Sequence, residues 1–141
     1  MTAPHARDVA ALLAVIEDRS ARPFGWARGD CCVSFMAACV EAQTRIDVLG
    51  ALTWSNRREA IAVVNGLGGL HAAMDARFDR IAPAMARRGD IAGIEDRLLG
   101  VQLAIVEGAT LVAPGDHGLM RVGREAMRWA WDAGSAREVA A

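Results

Sequence analysis

The feature that most constrains the fold is a segment, residues 31–40, that contains no charged side chain. It reads Cys-Cys-Val-Ser-Phe-Met-Ala-Ala-Cys-Val, and the first charge after it is Glu41. A helix that is apolar on all sides is buried, because none of its faces suits contact with water. The segment therefore predicts a central helix around which the chain packs, with Asp30 as its N-cap.

Three more helices are predicted in the first part of the chain. Apolar residues at helical spacing indicate an amphipathic helix over about residues 7–20. Asn56 and Glu59 have the spacing of a capping box, so a helix is expected to begin there and to stop at the glycines that follow. A further short helix is expected over residues 70–78.

The character of the sequence changes after residue 90. Short apolar runs alternate with turns that contain Gly or Pro, a pattern typical of an antiparallel meander. Trp129 and Trp131 are expected in a last strand and on its opposite faces, which would leave one of them exposed for a partner. The runs are 91–94, 99–106, 110–113 and 119–122.

Helices first and strands second predict an α+β fold. The N-terminal helices and the cysteine-bearing central helix are expected to pack on a small antiparallel β-meander. A chain of 141 residues has room for one hydrophobic core, so a single domain is expected over 1–141.

Composition and charge exclude several classes of protein. The net charge is −1 and all 16 basic residues are Arg, so there is no basic excess to hold a phosphate backbone and no nucleic-acid partner is expected. Apolar runs fall short of the roughly 18 residues that a membrane span needs. The N-terminus lacks the basic-then-apolar order of a secretory signal, so we expect a protein made in the bacterial cytoplasm.

Three cysteines, Cys31, Cys32 and Cys39, lack a second cysteine pair or a histidine cluster that would complete a metal site. Reduced thiols without a metal or cofactor are therefore expected. Cys31 would lie at the first turn of the central helix, where backbone N–H groups and the helix dipole favour a thiolate, as a nucleophilic cysteine requires. The alternative, which position alone favours, is that small apolar thiols simply pack well there.

The order of these elements resembles the NlpC/P60 type of papain-like cysteine peptidase. In that family an aromatic-glycine loop leads into Asp-Cys-Ser-Gly, whose cysteine is the nucleophile; residues 24–31, Phe-Gly-Trp-Ala-Arg-Gly-Asp-Cys, stand in that place here. The family's Gly-Asp before a hydrophobic strand is matched by Gly-Asp-Ile at 89–91. The resemblance implies an NlpC/P60-like domain with Cys31 in the place of the nucleophile.

The sequence is still more similar to a small phage-encoded group of uncharacterised proteins. The shared patterns are Pro-Phe-x-Trp, Gly-Gly-Leu, Arg-Gly-Asp and Pro-Gly-x-x-Gly-Leu, found here at 23–26, 68–70, 88–90 and 114–119. The likeness spans roughly residues 20–131. Such proteins resemble the tail-tip peptidases encoded among phage tail genes. This implies a virion component in the tail of a phage, prophage or gene-transfer particle, with hub, distal tail or tape-measure proteins as partners.

The chain departs from the NlpC/P60 pattern at the catalytic base. The family's next strand begins His-Val-Gly-Ile and supplies that base, whereas the corresponding stretch here, 98–101, is Leu-Leu-Gly-Val. Leu98 would then take the place of the histidine, and its side chain can neither accept nor donate a proton. A thiol without a base in reach has lost the usual means of forming and hydrolysing an acyl-enzyme.

The chain has three histidines that could replace the missing base. His5 belongs to the N-terminal tail, and His71 is interpreted as the surface partner of Asp75 four residues later. His117 lies in a Pro-Gly-Asp-His-Gly turn, where an ordinary loop role is favoured. It is the candidate base if the hairpin tip folds back toward Cys31.

These observations favour two functions from different classes. The first is a structural, tail-tip or hub-associated component that keeps an NlpC/P60-like fold after its active site has degenerated. The second is an active cysteine peptidase or amidase that cuts peptidoglycan peptides during entry, with Cys31 as nucleophile. A toxin-like or immunity-like amidase fold is a third interpretation.

Overall fold

Helices precede strands along the chain, which confirms the predicted α+β class. The computed structural model describes residues 7–139. Within them, the α-helices are α1 (Val9–Arg19), α2 (Cys32–Thr44), α3 (Arg57–Gly66) and α4 (Leu70–Arg77). The strands are β1 (Arg80–Ile81), β2 (Ile91–Asp96), β3 (Gly100–Val106), β4 (Thr110–Gly115), β5 (Gly118–Gly123) and β6 (Met127–Trp131). Short 3₁₀ turns lie at Pro83–Met85, Arg124–Ala126 and Ala133–Ser135.

The strands form one antiparallel sheet in the order β1-β6-β2-β3-β4-β5. Strands β2 to β5 are the predicted meander, in which each strand pairs with the next along the chain. Strand β6 returns to the free edge of β2, so that Ile91 lies opposite Ile105 on one side and Trp131 on the other. The last strand of the chain therefore lies between β1 and β2, where Ala130 and Trp131 are fully buried.

Alternate residues of the sheet build two apolar clusters. The larger one lies between the sheet and the helices and takes Ile91, Leu103, Ile105 and Val112 from the strands. The smaller one lies on the other face and is built largely from alanines, with Val106 and Leu111. Most of the large aliphatic side chains of the central strands, such as Leu103 and Ile105, thus face the helices, since residues two apart on a pleated strand share a face.

Helix α2 is the central helix that its lack of charge predicts. Phe35, Met36, Cys39 and Val40 are all at most 3% exposed. The helix packs against α1, β3, β4 and the 3₁₀ turn Ala133–Ser135. Neighbours surround most of the helix, and only a narrow side that carries Ala38 and Glu41 is exposed to water.

Side chains next to the helix ends cap α1 and α3, but one predicted cap, that of α2, is wrong. The carboxylate of Asp8 caps α1, and the Asn56 side chain accepts the N–H of Glu59 at 3.0 Å, as the capping box predicts. The prediction that Asp30 caps α2 is wrong, because the N-cap is Cys31, in an extended conformation. The Asp30 side chain lies one residue too early, and its carboxylate lies 3.9 Å from Arg22 Nη1 instead.

The two tryptophans of β6 lie on the same face of the sheet, so the prediction of opposite faces is wrong. Side chains alternate along a strand, and residues two apart therefore point the same way. Both indoles lie over Gly93, where an added Cβ would come within 3.0 Å of Trp131 and 3.2 Å of Trp129. Trp131 is fully buried and Trp129 partly so, which leaves neither as an exposed docking group.

A buried ion pair ties the N-terminal side of the domain to the start of β2. The Asp90 carboxylate is 1% exposed and accepts a hydrogen bond from Arg7 Nη1 at 2.7 Å. The same carboxylate accepts the backbone N–H of Ala133 at 3.0 Å and that of Arg87 at 2.9 Å. One side chain thus joins three distant parts of the chain.

Candidate functional site

Cys31 lies where the loop before α2 meets the first turn of that helix. Its side chain is 5% exposed, and its Sγ lies 3.5 Å from the hydroxyl oxygen of Ser34. That hydroxyl also accepts the backbone N–H of Gly29 at 2.9 Å. No side chain caps the N-terminus of α2. The Cys31 thiol is at the N-cap position, next to the N–H groups of the first helical turn, where a thiolate is favoured.

The loop that delivers Cys31 is held by a buried arginine. Arg19, assigned by its sequence position to the polar side of α1, is 2% exposed. Its guanidinium donates to the carbonyl oxygens of Arg22, Pro23 and Asp30, the last at 2.7 Å. Burial is the main reason that the pKa of Arg19 is lowered. Sequence reasoning missed this role because the three acceptors are backbone atoms, which leave no signal in residue type.

The other two thiols are in the core. Cys32 is directed toward β3, and burial raises its pKa to about 12. Cys39 is fully buried, and burial raises its pKa as well. Both are therefore protonated at neutral pH and unsuited to nucleophilic attack.

Cys31 lines a cleft of about 350 Å³ between the helices and two hairpins. Helices α2, α3 and α4, the loop before α2 and the segment before α3 supply one side, and the β2–β3 and β4–β5 hairpins supply the other. The wall is predominantly apolar: Phe24, Trp26, Met36, Leu49, Leu52, Trp54, Val63, Val64, Leu67, Leu99, Val101 and Met120 all contribute to it. This volume and lining suit a small apolar or amphipathic molecule.

Leu98 also lines this cleft, but on a turn rather than on a strand. The Asp96 carboxylate accepts the N–H groups of Leu98 and Leu99 at 3.0 and 2.9 Å, which builds the turn between β2 and β3. Strand β3 consequently begins at Gly100, one residue later than the apolar run 99–106 predicts and two residues after Leu98. Leu98 is 43% exposed, so an apolar side chain lies at the mouth of the cleft that contains Cys31.

The structure does not bring a described histidine to Cys31. His117 is exposed in the two-residue turn between β4 and β5, and it does not line the cleft, although its neighbour Asp116 does. The hairpin does contact the loop before α2, since the Gly115 carbonyl oxygen accepts the N–H of Phe24 at 2.7 Å, but the His117 side chain is directed to solvent and not to Cys31. His5 lies outside the described residues.

The His71 ring packs against the two tryptophans of β6. Its ring lies edge-on to Trp129, with centroids 4.5 Å apart. Asp75, its predicted partner, instead accepts hydrogen bonds from the Trp131 indole at 2.9 Å and from Arg80 at 2.9 Å. Burial alone would raise the pKa of Asp75, but these hydrogen bonds outweigh it and lower the pKa below its usual range.

Two polar residues of the cleft were not found by sequence reasoning. Arg77, the last residue of α4, is 7% exposed, and burial lowers its pKa. Trp54 is 6% exposed, and its indole nitrogen is buried without an acceptor among the described residues. Only the fold reveals them, because an arginine at a helix C-terminus and a tryptophan before a helix are both ordinary in a sequence.

Within residues 7–139, no group of three or more histidine, cysteine, aspartate or glutamate side chains is placed to hold a metal ion. None of the helices in that part is long and apolar enough to cross a membrane.

The fold and the cleft define an α+β domain with a cysteine at the start of its central helix. The family model described as a domain of unknown function (DUF6950) matches residues 5–133, which is nearly the whole chain. The chain belongs to this family. No match was found among curated proteins.

Proposed function

We propose that this protein is a structural component of a phage, prophage or gene-transfer-particle tail, with an NlpC/P60-like fold whose active site has degenerated. The single observation that carries the loss of catalysis is the surroundings of Cys31. The only side chain in hydrogen-bond contact with its sulfur among the described residues is Ser34. Leu98, in the place that the resemblance gives to the base, lines the same cleft.

The chemistry of the cleft explains why hydrolysis is not expected. A positioned general base typically contributes about 10²–10⁴-fold to the rate, and it must lie within hydrogen-bond reach of the proton that it takes. Ser34 is itself a weak acid that already accepts the N–H of Gly29, so it cannot act as that base. What the chain keeps is the framework: the buried central helix, the loop held by Arg19 and the sheet.

The tail role rests on the resemblance of the motifs at 23–26, 68–70, 88–90 and 114–119. A compact domain of this size is suited to bracing or plugging a tail hub, with hub, distal tail or tape-measure proteins as its neighbours. Exposed arginines would make the contacts, since the guanidinium binds carboxylates with fixed geometry. Arg58 on α3 and Arg128 on β6 are both exposed.

Particle composition and particle assembly test the structural role. Mass spectrometry of purified particles should find the protein at a fixed copy number. Deletion of its gene should prevent tail assembly. Normal infectious particles that lack the protein would refute the structural role.

An enzymatic assay tests the loss of catalysis. The purified chain should release no product from peptidoglycan peptides, and Cys31→Ser should not change that result. Leu98→His places an imidazole at the mouth of the cleft and is the variant in which a residual activity would rise. Turnover by the native chain that disappears in Cys31→Ser would show that the fold is still catalytic.

One observation favours the alternative of an active cysteine peptidase or amidase. Cys31 reaches a cleft of about 350 Å³ and lies beside the N–H groups of a helix, which are the two features that a nucleophile needs besides its base. In this alternative, peptidoglycan is the partner and a substrate group or a tail protein would supply the base. Turnover only in assembled particles, and not by the isolated chain, would support it.

A further inference from the structure

The apolar face of α3 is only partly covered by the rest of the domain. None of the residues of α3 is fully buried, although Ala60, Val63 and Val64 all point to the cleft. Leu67, just after the helix, continues the same face. Helices normally bury such a face against a core, because each aliphatic side chain removed from water stabilises the fold. Here the face covers a cleft, so it is available to a molecule within that cleft.

Arg77 provides a buried positive charge without a counter-charge. Its Nε donates to the carbonyl oxygen of Val48 at 2.7 Å and its Nη1 to that of Ala73 at 3.0 Å. These contacts leave Nη2 without an acceptor among the described residues. No carboxylate in that part of the chain pairs with Arg77, which is unusual for an arginine that is 7% exposed, because buried charges are normally paired.

The charges of the cleft also limit what an occupant can carry. Asp96 and Asp116 also line the cleft, on its hairpin side. The Asp96 carboxylate already accepts two backbone N–H groups of its own turn and Asp116 is exposed, so Arg77 is the one buried charge among the described lining residues. A single free guanidinium nitrogen suits one carboxylate oxygen.

We propose that the cleft binds an amphipathic monoanion, an unbranched apolar chain that ends in one carboxylate. The chain would pack under the apolar face of α3, and the carboxylate would accept a hydrogen bond from Arg77 Nη2. The volume of about 350 Å³ lies at the small end of the range for small-molecule pockets and is far too small for a folded partner. This ligand class is independent of whether Cys31 is catalytic.

Calorimetric titration of the full chain with decanoate tests the proposal, with decanol as the uncharged match and decyltrimethylammonium as the cationic one. Decanoate should bind with one molecule per chain. Decanol should bind roughly tenfold to a hundredfold more weakly, because it lacks the charged hydrogen bond to Arg77. The cation should bind more weakly than decanoate, because Arg77 would repel its head group instead of binding it. Equal affinity for decanoate and decanol would refute the anionic head group.

Two pairs of variants locate the site. Ala60→Trp should abolish binding by filling the cleft, whereas Ala62→Trp, on the exposed side of the same helix, should leave it unchanged. Arg77→Gln should reduce the affinity for decanoate to that for decanol, and Arg77→Lys should retain part of the difference.

Ala60→Trp keeps the test valid if the Arg77 variants fail to fold. Full binding by folded Ala60→Trp would place the ligand elsewhere and overturn the proposal. An absence of decanoate binding by the native chain would also overturn it and would leave the cleft to an apolar segment of a protein partner.

Discussion

Replacing Asp90 with alanine removes the one carboxylate that joins the start of β2 to both ends of the described chain. In the native protein it accepts three hydrogen bonds, from the guanidinium of Arg7 and from the backbone N–H groups of Arg87 and Ala133. The carboxylate is 1% exposed, and the Arg7 side chain is 9% exposed. Water therefore cannot replace the lost acceptor without a local opening of the structure.

The expected loss of stability follows from the donors that Asp90→Ala leaves without an acceptor. Removing one partner of a buried ion pair typically costs about 3–5 kcal/mol, because the remaining charge stays buried without compensation. The two backbone donors lose their acceptor in the same step. We expect the free energy of unfolding to fall by about 3–5 kcal/mol, a large part of the roughly 5–15 kcal/mol that stabilises a domain.

Urea unfolding followed by circular dichroism measures this loss. Asp79→Ala is the matched control, since its ion pair with Arg137 is 3.1 Å long but lies at the surface, with the Asp79 side chain 71% exposed. That control should lose less than about 1 kcal/mol. Asp90→Asn should lie between the two, because its amide oxygen still accepts hydrogen bonds. A loss below about 1 kcal/mol in Asp90→Ala would refute the buried ion pair as the tie between these segments.

Three further predictions concern the stability of the core, the reactivity of the thiols and the pH dependence of folding. Phe35→Ala should lower the free energy of unfolding by about 3–5 kcal/mol, because the ring is 3% exposed in the core; a variant as stable as the native chain would contradict that packing. A thiol reagent at pH 8, with adducts mapped by mass spectrometry, should label Cys31 before the other two cysteines, whose pKa burial raises; the reverse order would contradict the placement of Cys31 at the cleft. Because the pKa of Asp75 is lowered in the folded state, its stabilising contribution is complete above its unfolded pKa of about 3.9 and is lost as the pH falls through the folded value. Asp75→Asn should therefore reduce the slope of stability against pH below about pH 4, and an unchanged slope would show that this carboxylate is not linked to folding.

Local signals in the sequence were sufficient to predict most of the helices and strands. The lack of charge over 31–40 predicted a buried helix, and the capping box at Asn56 and Glu59 predicted the start of α3. The apolar runs with Gly or Pro between them predicted the meander. Each of these signals depends on neighbours within a few residues, so the sequence by itself determines it. The start of β3 was misplaced because the Asp96 turn competes locally with the strand.

The candidate site was predicted in one respect only. The position of Cys31 at the start of a helix follows from local sequence, and the structure places it there. The sequence pattern allowed His117 to reach the thiol, and the tight hairpin turn holds it in solvent instead.

The remaining features were decided by contacts between residues far apart in the chain. Strand β6 pairs with β2 and buries Trp131, a contact between elements more than thirty residues apart in the printed sequence. Arg19 and Arg77 are buried because carbonyl oxygens of other segments meet their guanidinium groups. Backbone acceptors are common to every residue type, so no sequence pattern shows which arginine will find them. Only the tertiary structure could show that a charge and an open apolar face share one cleft.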